Sequence, residues 1–403
     1  MIKRSISAAA GLALAIWSAG AIAQTSPQPV AKPIGPGVDW SLRGFAVQRF
    51  EFDSNRELDP ESDGAVYGSI STLGLRMDAR TKRALFSVNA GFSGRYYGGP
   101  GDTENLNTIN PNIAASLTYN GKDYQISNQM ALSVQPTTET QFEDSGIVDE
   151  DVNQFTFSYN TGYAHLIDAR NTWSLNGDIR IIRFDEDVDD LNESESAGIN
   201  TSWRHQLSQT TFLFARTGFR YFNTDDDSQS QTIDFTTGVD HQRTSRHQFG
   251  ASGGVSVVRS EDQDTPGEDA EINVGFNGGA NFSYRVKRFN AGLNFSQSLD
   301  PSSDGDVDAF TRLSGSVGYQ ITRFSSLSGT ASVSRRTSLS DATGSDSDEG
   351  QFLSLGPTFR TQLTDTVDLS IGYQFRLDDE SDSDIGTGHQ MFLTISKNFE
   401  VIE

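Results

Sequence analysis

The sequence predicts an all-β fold: a transmembrane antiparallel up-and-down β-barrel of about eighteen strands, with sixteen as the alternative count. Three observations lead to this prediction. The chain starts with an export signal, it continues in eighteen segments of alternating apolar and polar residues, and its connections alternate between long acidic and short basic ones. The composition fits, because 403 residues include 38 Gly and 26 Phe but no Cys, and a disordered acidic chain is poor in aromatic residues.

Residues 1–23 have the pattern of a secretory signal peptide. Lys3 and Arg4 form a positively charged start, an apolar stretch follows, and Ala21-Ile22-Ala23 forms a small-residue cleavage site before Gln24. A membrane anchor is the alternative, but the apolar run is shorter than the roughly 20 residues of a spanning helix. We therefore expect an exported protein.

Two further regions follow the signal peptide. Residues 24–39 contain four prolines, which predicts an extended, solvated lead-in on the periplasmic side. Residues 40–403 form the predicted barrel. No segment of this region has the roughly 18 consecutive apolar residues of a transmembrane helix.

The alternation between residues 367 and 377 shows the pattern that repeats along the chain. Successive side chains of a strand point to opposite faces. One face of this segment is therefore apolar, with Val367, Leu369, Ile371, Tyr373, Phe375 and Leu377, and the other is polar apart from Gly372. The eighteen predicted strands are 40–52, 65–78, 84–97, 108–119, 124–135, 153–166, 172–184, 196–207, 211–223, 231–242, 247–259, 272–285, 289–299, 309–321, 325–337, 350–363, 367–377 and 389–401.

The connections between these segments favour a barrel over a soluble protein. Nine are mostly long and acidic, eight are short, and the two kinds alternate. Bacterial outer-membrane barrels have an even number of strands, short periplasmic turns, long extracellular loops and strands that are apolar outside and polar inside. A secreted sandwich or propeller, the alternative, does not predict this alternation. We therefore expect the protein in the cell outer membrane.

Charge separates the two ends of the predicted barrel. The long connections carry 42 of the 54 acidic residues and a single basic one, Arg56, whereas the short turns are basic. Like charges keep loops solvated. Carboxylates also suit Ca²⁺ or Mg²⁺, which would bridge the loops to anionic lipopolysaccharide. The best local cluster is Asp304, Asp306 and Asp308, but it lacks the glycine and terminal glutamate of an EF-hand. We expect no cofactor beyond such loosely held cations.

The polar face of the strands carries more arginine than acid. Placing the aromatic residues in lipid turns eight arginines inward: Arg180, Arg204, Arg216, Arg220, Arg285, Arg312, Arg360 and Arg376. Four carboxylates share that face, namely Asp178, Asp234, Asp240 and Asp368. Any arginine in a strand must point away from lipid, which explains why these side chains face inward but not why they outnumber the carboxylates. Rings of basic side chains select anions in pores.

The third long connection, residues 137–152, differs from the others because apolar residues accompany its acids. This pattern suggests that the loop folds back onto the barrel, in the position of the constriction loop of general porins, without that loop's usual sequence signature. The candidate constriction residues are Glu139, Phe142, Glu143, Asp144, Asp149, Glu150 and Asp151.

Two parts of the chain carry a resemblance to known proteins. The last strand resembles those of outer-membrane barrels. It departs from their usual pattern because Glu400 to Glu403 follow Phe399, whereas an aromatic residue at the end of the chain is the common signal for the barrel assembly machinery. The first hairpin, with Phe50-Glu51-Phe52-Asp53-Ser54-Asn55, the acidic Glu61-Ser62-Asp63 and the strand end Tyr96-Tyr97, resembles the β-barrel porin 2 family. That resemblance implies a pore or exporter for anionic polysaccharide, with no catalytic residues.

These observations predict a non-enzymatic outer-membrane channel for small or polymeric anionic solutes, with polysaccharide export as one form. The first alternative is a non-conducting structural or adhesive barrel. The second is an outer-membrane hydrolase, which is disfavoured because four of the five histidines adjoin short turns and no Gly-x-Ser-x-Gly or zinc motif occurs. The net charge of −23 argues against nucleic acid as a partner.

Overall fold

A computed structural model describes residues 37–56, 58, 64–100, 107–137, 152–185, 192–225, 228–244, 246–262, 271–301, 307–338, 349–380 and 385–402. These residues form eighteen β-strands. In chain order the strands are β1 Asp39–Asp53, β2 Val66–Arg80, β3 Ala84–Gly98, β4 Ile109–Asn120, β5 Tyr124–Pro136, β6 Asn153–Leu166, β7 Asn171–Phe184, β8 Ser194–Gln206, β9 Thr211–Thr224, β10 Ser228–Thr244, β11 His247–Asp262, β12 Glu271–Arg285, β13 Phe289–Pro301, β14 Val307–Gln320, β15 Ser325–Ser338, β16 Glu349–Thr364, β17 Val367–Glu380 and β18 Gly386–Ile402.

The strands form one closed sheet, so the predicted fold class and strand count are confirmed. Each strand pairs antiparallel with its neighbours in sequence, and β1 closes the barrel by pairing with both β2 and β18. Every predicted strand end lies within three residues of an observed one. Closure pairs every strand on both sides, which is how an all-β chain satisfies its backbone hydrogen bonds in lipid. The β12–β13 ladder is shorter than the strands, because it covers only Gly278–Arg285 of β12.

The connections divide the barrel into a turn end and a loop end. At the turn end, eight connections contain two to four residues each. At the loop end, the connections are longer, with the third spanning sixteen residues between β5 and β6. The fifth connection is an exception, because β10 begins three residues earlier than predicted and only three residues separate it from β9. We expect the loop end to face the cell exterior.

The barrel has an apolar exterior and almost no apolar core. Large apolar side chains that are more than a third exposed occur on seventeen strands, for example Leu73, Phe92, Phe235 and Ile371. Only eight apolar residues of the described ranges are buried. A soluble β-sandwich would bury one face of each sheet. This distribution is that of a barrel whose outer surface is solvated by lipid.

Aromatic and imidazole rings gather at the turn end. The Tyr163 ring lies 6.1 Å from that of Tyr124 and stacks on His165, and His205 stacks on Trp203. Aromatic girdles mark the membrane–water interfaces of outer-membrane barrels. None of the residues that the structure describes forms a helix long and apolar enough to cross a membrane.

Candidate functional site

The barrel encloses a large interior cavity, which is the candidate functional site. Its volume is about 2930 Å³, and residues from β2 to β18 line it. The lining reaches both ends of the strands, from Lys287 and Arg288 in a turn to Gln154 and Asn192 at the loop end. A barrel of 16–18 strands is wide enough to leave an aqueous channel.

The charged side chains along this cavity are mostly basic. Eleven basic residues line it, against three acidic ones, Asp178, Asp234 and Asp240. The basic residues are Arg76, Arg180, Arg204, Arg216, Arg220, Arg246, Arg285, Lys287, Arg288, Arg312 and Arg360. Seven of the eight arginines that the sequence analysis assigned to the inner face are in this set. The other four basic residues, Arg76, Arg246, Lys287 and Arg288, lie toward the turn end. Arg76 is on the inner face of β2, because Leu73 and Leu75 are exposed on the outer face and successive side chains alternate.

Several lumen arginines have carboxylate neighbours on the same wall. Arg204 Nη2 lies 3.2 Å from Asp240 Oδ2, and its guanidinium stands 4.1 Å from the centre of the Phe212 ring. Arg360 Nη2 lies 3.1 Å from Asp368 Oδ2. These contacts orient the two guanidinium groups and partly offset their charge.

Asp178 and Arg220 face each other across the intervening strand β8. The residue between them in register is Gly198, and a Cβ atom there would stand 3.1 Å from Asp178 Oδ1. The absence of a side chain at this position lets the carboxylate and the guanidinium interact electrostatically.

Two lumen arginines keep their charge uncompensated within the described part of the chain. The side chains of Arg216 and Arg285 make no hydrogen bond, ion pair or ring contact there. The nearby Asp234 carboxylate, by contrast, accepts hydrogen bonds from Ser256 Oγ and from Asn277 Nδ2, the latter at 3.2 Å. Asp234 is thus held to the wall by neutral groups, and Arg216 and Arg285 present free positive charge to the lumen.

Arg376, the eighth predicted lumen arginine, lies in a different environment. It is buried at the loop end, where Nη2 donates to both carboxylate oxygens of Asp53 at 2.6 Å and to the Asn55 carbonyl oxygen at 3.0 Å. It is absent from the cavity lining. Alternation places Arg376 on the inner face of β17. Barrel closure brings Asp53 beside it, and this ion pair holds the Arg376 side chain in the barrel wall rather than in the lumen.

Other predicted site residues fall mainly in the long connections. Glu139, Phe142, Glu143, Asp144, Asp149, Glu150 and Asp151 lie outside the described residues, as do Asp304 and Asp306. Asp308 is buried, and its Oδ2 atom lies 3.6 Å from Arg336 Nε. Among described side chains, no three His, Asp or Glu come together as metal ligands would. Loop-bound cations stay a prediction.

Comparison with known proteins identifies the fold. A BenF-like porin from Pseudomonas fluorescens Pf-5 superposes with a TM-score of 0.51 and 10% identity, covering 90% of this chain and 99% of that one. OccAB4 and OccAB2 of Acinetobacter baumannii superpose with a TM-score of 0.50 at 11% and 8% identity, each covering 90% of this chain and 98% of theirs. No family model and no curated protein sequence matches the chain.

The chain has the fold of an outer-membrane porin. This fold and the apolar exterior place it in the Gram-negative outer membrane, as the sequence analysis predicted. The finer resemblance to the β-barrel porin 2 family stays a prediction.

The histidines of the porin-like barrel lie where a structural role explains them. Four are at the turn end, where His205 Nδ1 is 2.8 Å from Asn171 Oδ1 and His241 Nδ1 is 2.9 Å from Thr211 Oγ1. His389, at the loop end, has its Nδ1 atom 2.8 Å from the Tyr373 hydroxyl. These contacts orient the imidazole rings at the two rims of the barrel.

Proposed function

We propose that this protein is an outer-membrane channel that passes small solutes and favours anions. The observation that carries the proposal is the excess of eleven basic over three acidic side chains along the cavity. The porin fold and the strand number support a conducting lumen. A channel of this kind needs no catalytic group, in keeping with the predicted absence of enzymatic activity.

The lumen charges lie on the wall along which a solute passes. Positive groups on a low-dielectric wall raise the local concentration of anions. The acidic connections at the loop end have the opposite effect, but the Debye length is only about 8 Å at 0.15 M salt. Solvated loop charges are therefore screened before they reach the middle of the lumen, and the wall controls selectivity there.

Removing the uncompensated arginines tests this proposal. The double variant Arg216→Ala with Arg285→Ala, reconstituted in planar bilayers under a KCl gradient, should shift the reversal potential toward cation preference. Arg323→Ala is the matched control, because Arg323 sits in a turn, stacks on Phe324 at 4.4 Å and does not line the cavity. Equal reversal potentials for the double variant and the wild type would contradict the proposal.

The finer forms of the function are distinguishable in the same measurement. If the channel passes an anionic polysaccharide, a long acidic oligosaccharide should enter it and block the ion current for longer than its monomer does. A barrel that conducts no ions would instead support the structural or adhesive alternative.

We further propose that the acidic connections bridge to lipopolysaccharide through divalent cations, since carboxylate oxygens are the preferred ligands of Ca²⁺ and Mg²⁺.

A further inference from the structure

Four of the five histidines of the chain share one outer surface of the barrel. His165, His205, His241 and His247 lie at the turn ends of β6, β8, β10 and β11, and we call this surface the histidine belt. Each is an even number of residues from an exposed apolar side chain of its own strand, which puts all four on the outer face; these side chains are Phe155, Trp203, Phe235 and Phe249. Neighbouring strands lie about 4.8 Å apart, so the four imidazoles extend over about 24 Å of the perimeter.

The histidine belt lies at the level of a membrane–water interface. His205 stacks on Trp203, with ring centres 5.5 Å apart. His165 stacks on Tyr163, with ring centres 6.2 Å apart. Aromatic rings of this kind occupy the headgroup level in outer-membrane barrels, because one end of the ring is apolar and the other is polar. The imidazoles are therefore at the depth of the lipid phosphates.

A chain of hydrogen bonds fixes the proton of neutral His205. Asn171 Nδ2 donates to Asp168 Oδ2 at 2.7 Å, so Asn171 Oδ1 is an acceptor. This Oδ1 atom lies 2.8 Å from His205 Nδ1, which therefore carries the proton. Hydrogen bonds from the Arg170 backbone N–H and from the Asn171 side chain lower the pKa of the Asp168 carboxyl, so this end of the chain stays negative. His205 Nε2 is left as the nitrogen that takes up a proton.

The other rings also leave a nitrogen for an external partner. His241 Nδ1 lies 2.9 Å from the Thr211 hydroxyl, which leaves Nε2. The His247 ring lies 4.9 Å from that of Tyr284, and its nitrogens make no hydrogen bond within the described ranges. His165 Nδ1 is buried and likewise finds no hydrogen-bond partner in the described part of the chain.

The surroundings of the belt let its charge follow the imidazoles. Imidazole is the side chain that changes charge between about pH 5 and 8. The titratable groups that face the rings from the strands are tyrosines, which stay uncharged in this range, namely Tyr124, Tyr163 and Tyr284. The turns within the belt carry one acidic and two basic residues, Asp168, Arg170 and Arg246. Protonation of the rings therefore adds positive charge to a surface that has no excess of acid.

We infer that the histidine belt binds the phosphate groups of anionic phospholipids, and that this binding strengthens when the imidazoles are protonated. A protonated ring offers a positive charge and a second N–H donor, and such charge-assisted hydrogen bonds to phosphate are stronger than neutral ones. Elsewhere the turn end carries exposed rings such as Trp40 and Tyr319 but no histidine, because the fifth, His389, is at the loop end. Anionic lipids should therefore gather on one side of the barrel. The belt lies outside the lumen, so this inference goes beyond the proposed channel function and does not rest on it.

Tryptophan fluorescence tests the inference, because tryptophans lie both in the belt and far from it. Three of the four tryptophans are in the barrel. Trp203 stacks on His205 and Trp173 pairs in register with His165, whereas Trp40 is on β1. The variant Trp40→Phe leaves the two belt tryptophans as reporters. The double variant Trp173→Phe with Trp203→Phe leaves Trp40 as the matched control.

The measurement compares two brominated lipids that quench the tryptophans they touch. The barrel is folded into phosphatidylcholine vesicles that contain brominated phosphatidylglycerol or brominated phosphatidylcholine. At the belt tryptophans, the preference for phosphatidylglycerol should rise about fivefold between about pH 8 and about pH 5.5, which is the factor that one positive charge contributes at a membrane surface. At Trp40 it should not rise. His165→Gln with His205→Gln, in the Trp40→Phe background, keeps polar side chains that do not titrate and should abolish the rise.

Three outcomes would overturn the inference. The first is an equal rise at Trp40, which would attribute the effect to the charge of the whole barrel. The second is a belt without preference for phosphatidylglycerol at either pH, and the third is an unchanged rise in the glutamine variant. If that variant does not fold, the comparison of the belt tryptophans with Trp40 still decides, since it alters no histidine. None of these outcomes bears on ion conduction, so a failure here is distinct from a failure of the proposed function.

Discussion

Arg376 of β17 and Asp53 of β1 form a buried ion pair that reaches across β18, the strand that closes the barrel with β1. Arg376 Nη2 donates to both carboxylate oxygens of Asp53 at 2.6 Å, although 323 residues separate them in the sequence. The guanidinium reaches Asp53 over Gly388 of β18, where a Cβ atom would stand 3.2 Å from Nη2. Asp53 belongs to the first-hairpin motif that the sequence analysis singled out, so this motif helps to close the barrel.

We predict that Arg376→Ala lowers the free energy of unfolding by about 3–5 kcal/mol, because it leaves the Asp53 charge buried and unpaired. Arg360→Ala is the matched control. Its pair with Asp368 is more exposed, and such pairs contribute about 0–1 kcal/mol. Urea unfolding in detergent micelles measures both values. Similar losses in the two variants would show that the Arg376 pair has no special role in closure.

A second prediction concerns the two faces of β17. Ile371 is about half exposed on the outer face, whereas Gln374 donates from Nε2 to Ser354 Oγ at 2.7 Å and lines the cavity. Ile371→Arg should destabilise the barrel by about 2–4 kcal/mol near the middle of the membrane, and Gln374→Arg should be tolerated. Folding yield into lipid vesicles measures the difference. Equal yields would refute the assignment of the faces.

The sequence was sufficient to predict the barrel because alternation with a period of two identifies each strand and the face of each side chain. It placed Arg216 and Arg285 in the lumen on this basis alone. Alternation does not say what covers a residue, so Arg376 was predicted to line the channel although Asp53 holds it in the wall. For the same reason, the regular alternation of residues 289–299 does not indicate that Leu299 packs against Val258 and is only 3% exposed.

A third prediction concerns orientation. The acidic connections at the loop end should face the cell exterior, because long loops of outer-membrane barrels are extracellular. A single cysteine replacing Asp187, in the fourth long connection, should react with a membrane-impermeant maleimide on intact cells. A cysteine replacing Lys122, in a short turn, should react only after the cells are lysed. Labelling of the turn cysteine alone on intact cells would reverse the orientation.

The reversal potential of the wild-type protein under a KCl gradient, measured at low and at high salt, tests the central claim most directly. The lumen side chains are damped less by salt than the solvated loop charges, because they lie on a low-dielectric wall. We predict anion preference that is clearest at high salt and weaker, or reversed, at low salt, where the acidic loop end acts over a longer distance. Cation preference at every salt concentration would contradict the account.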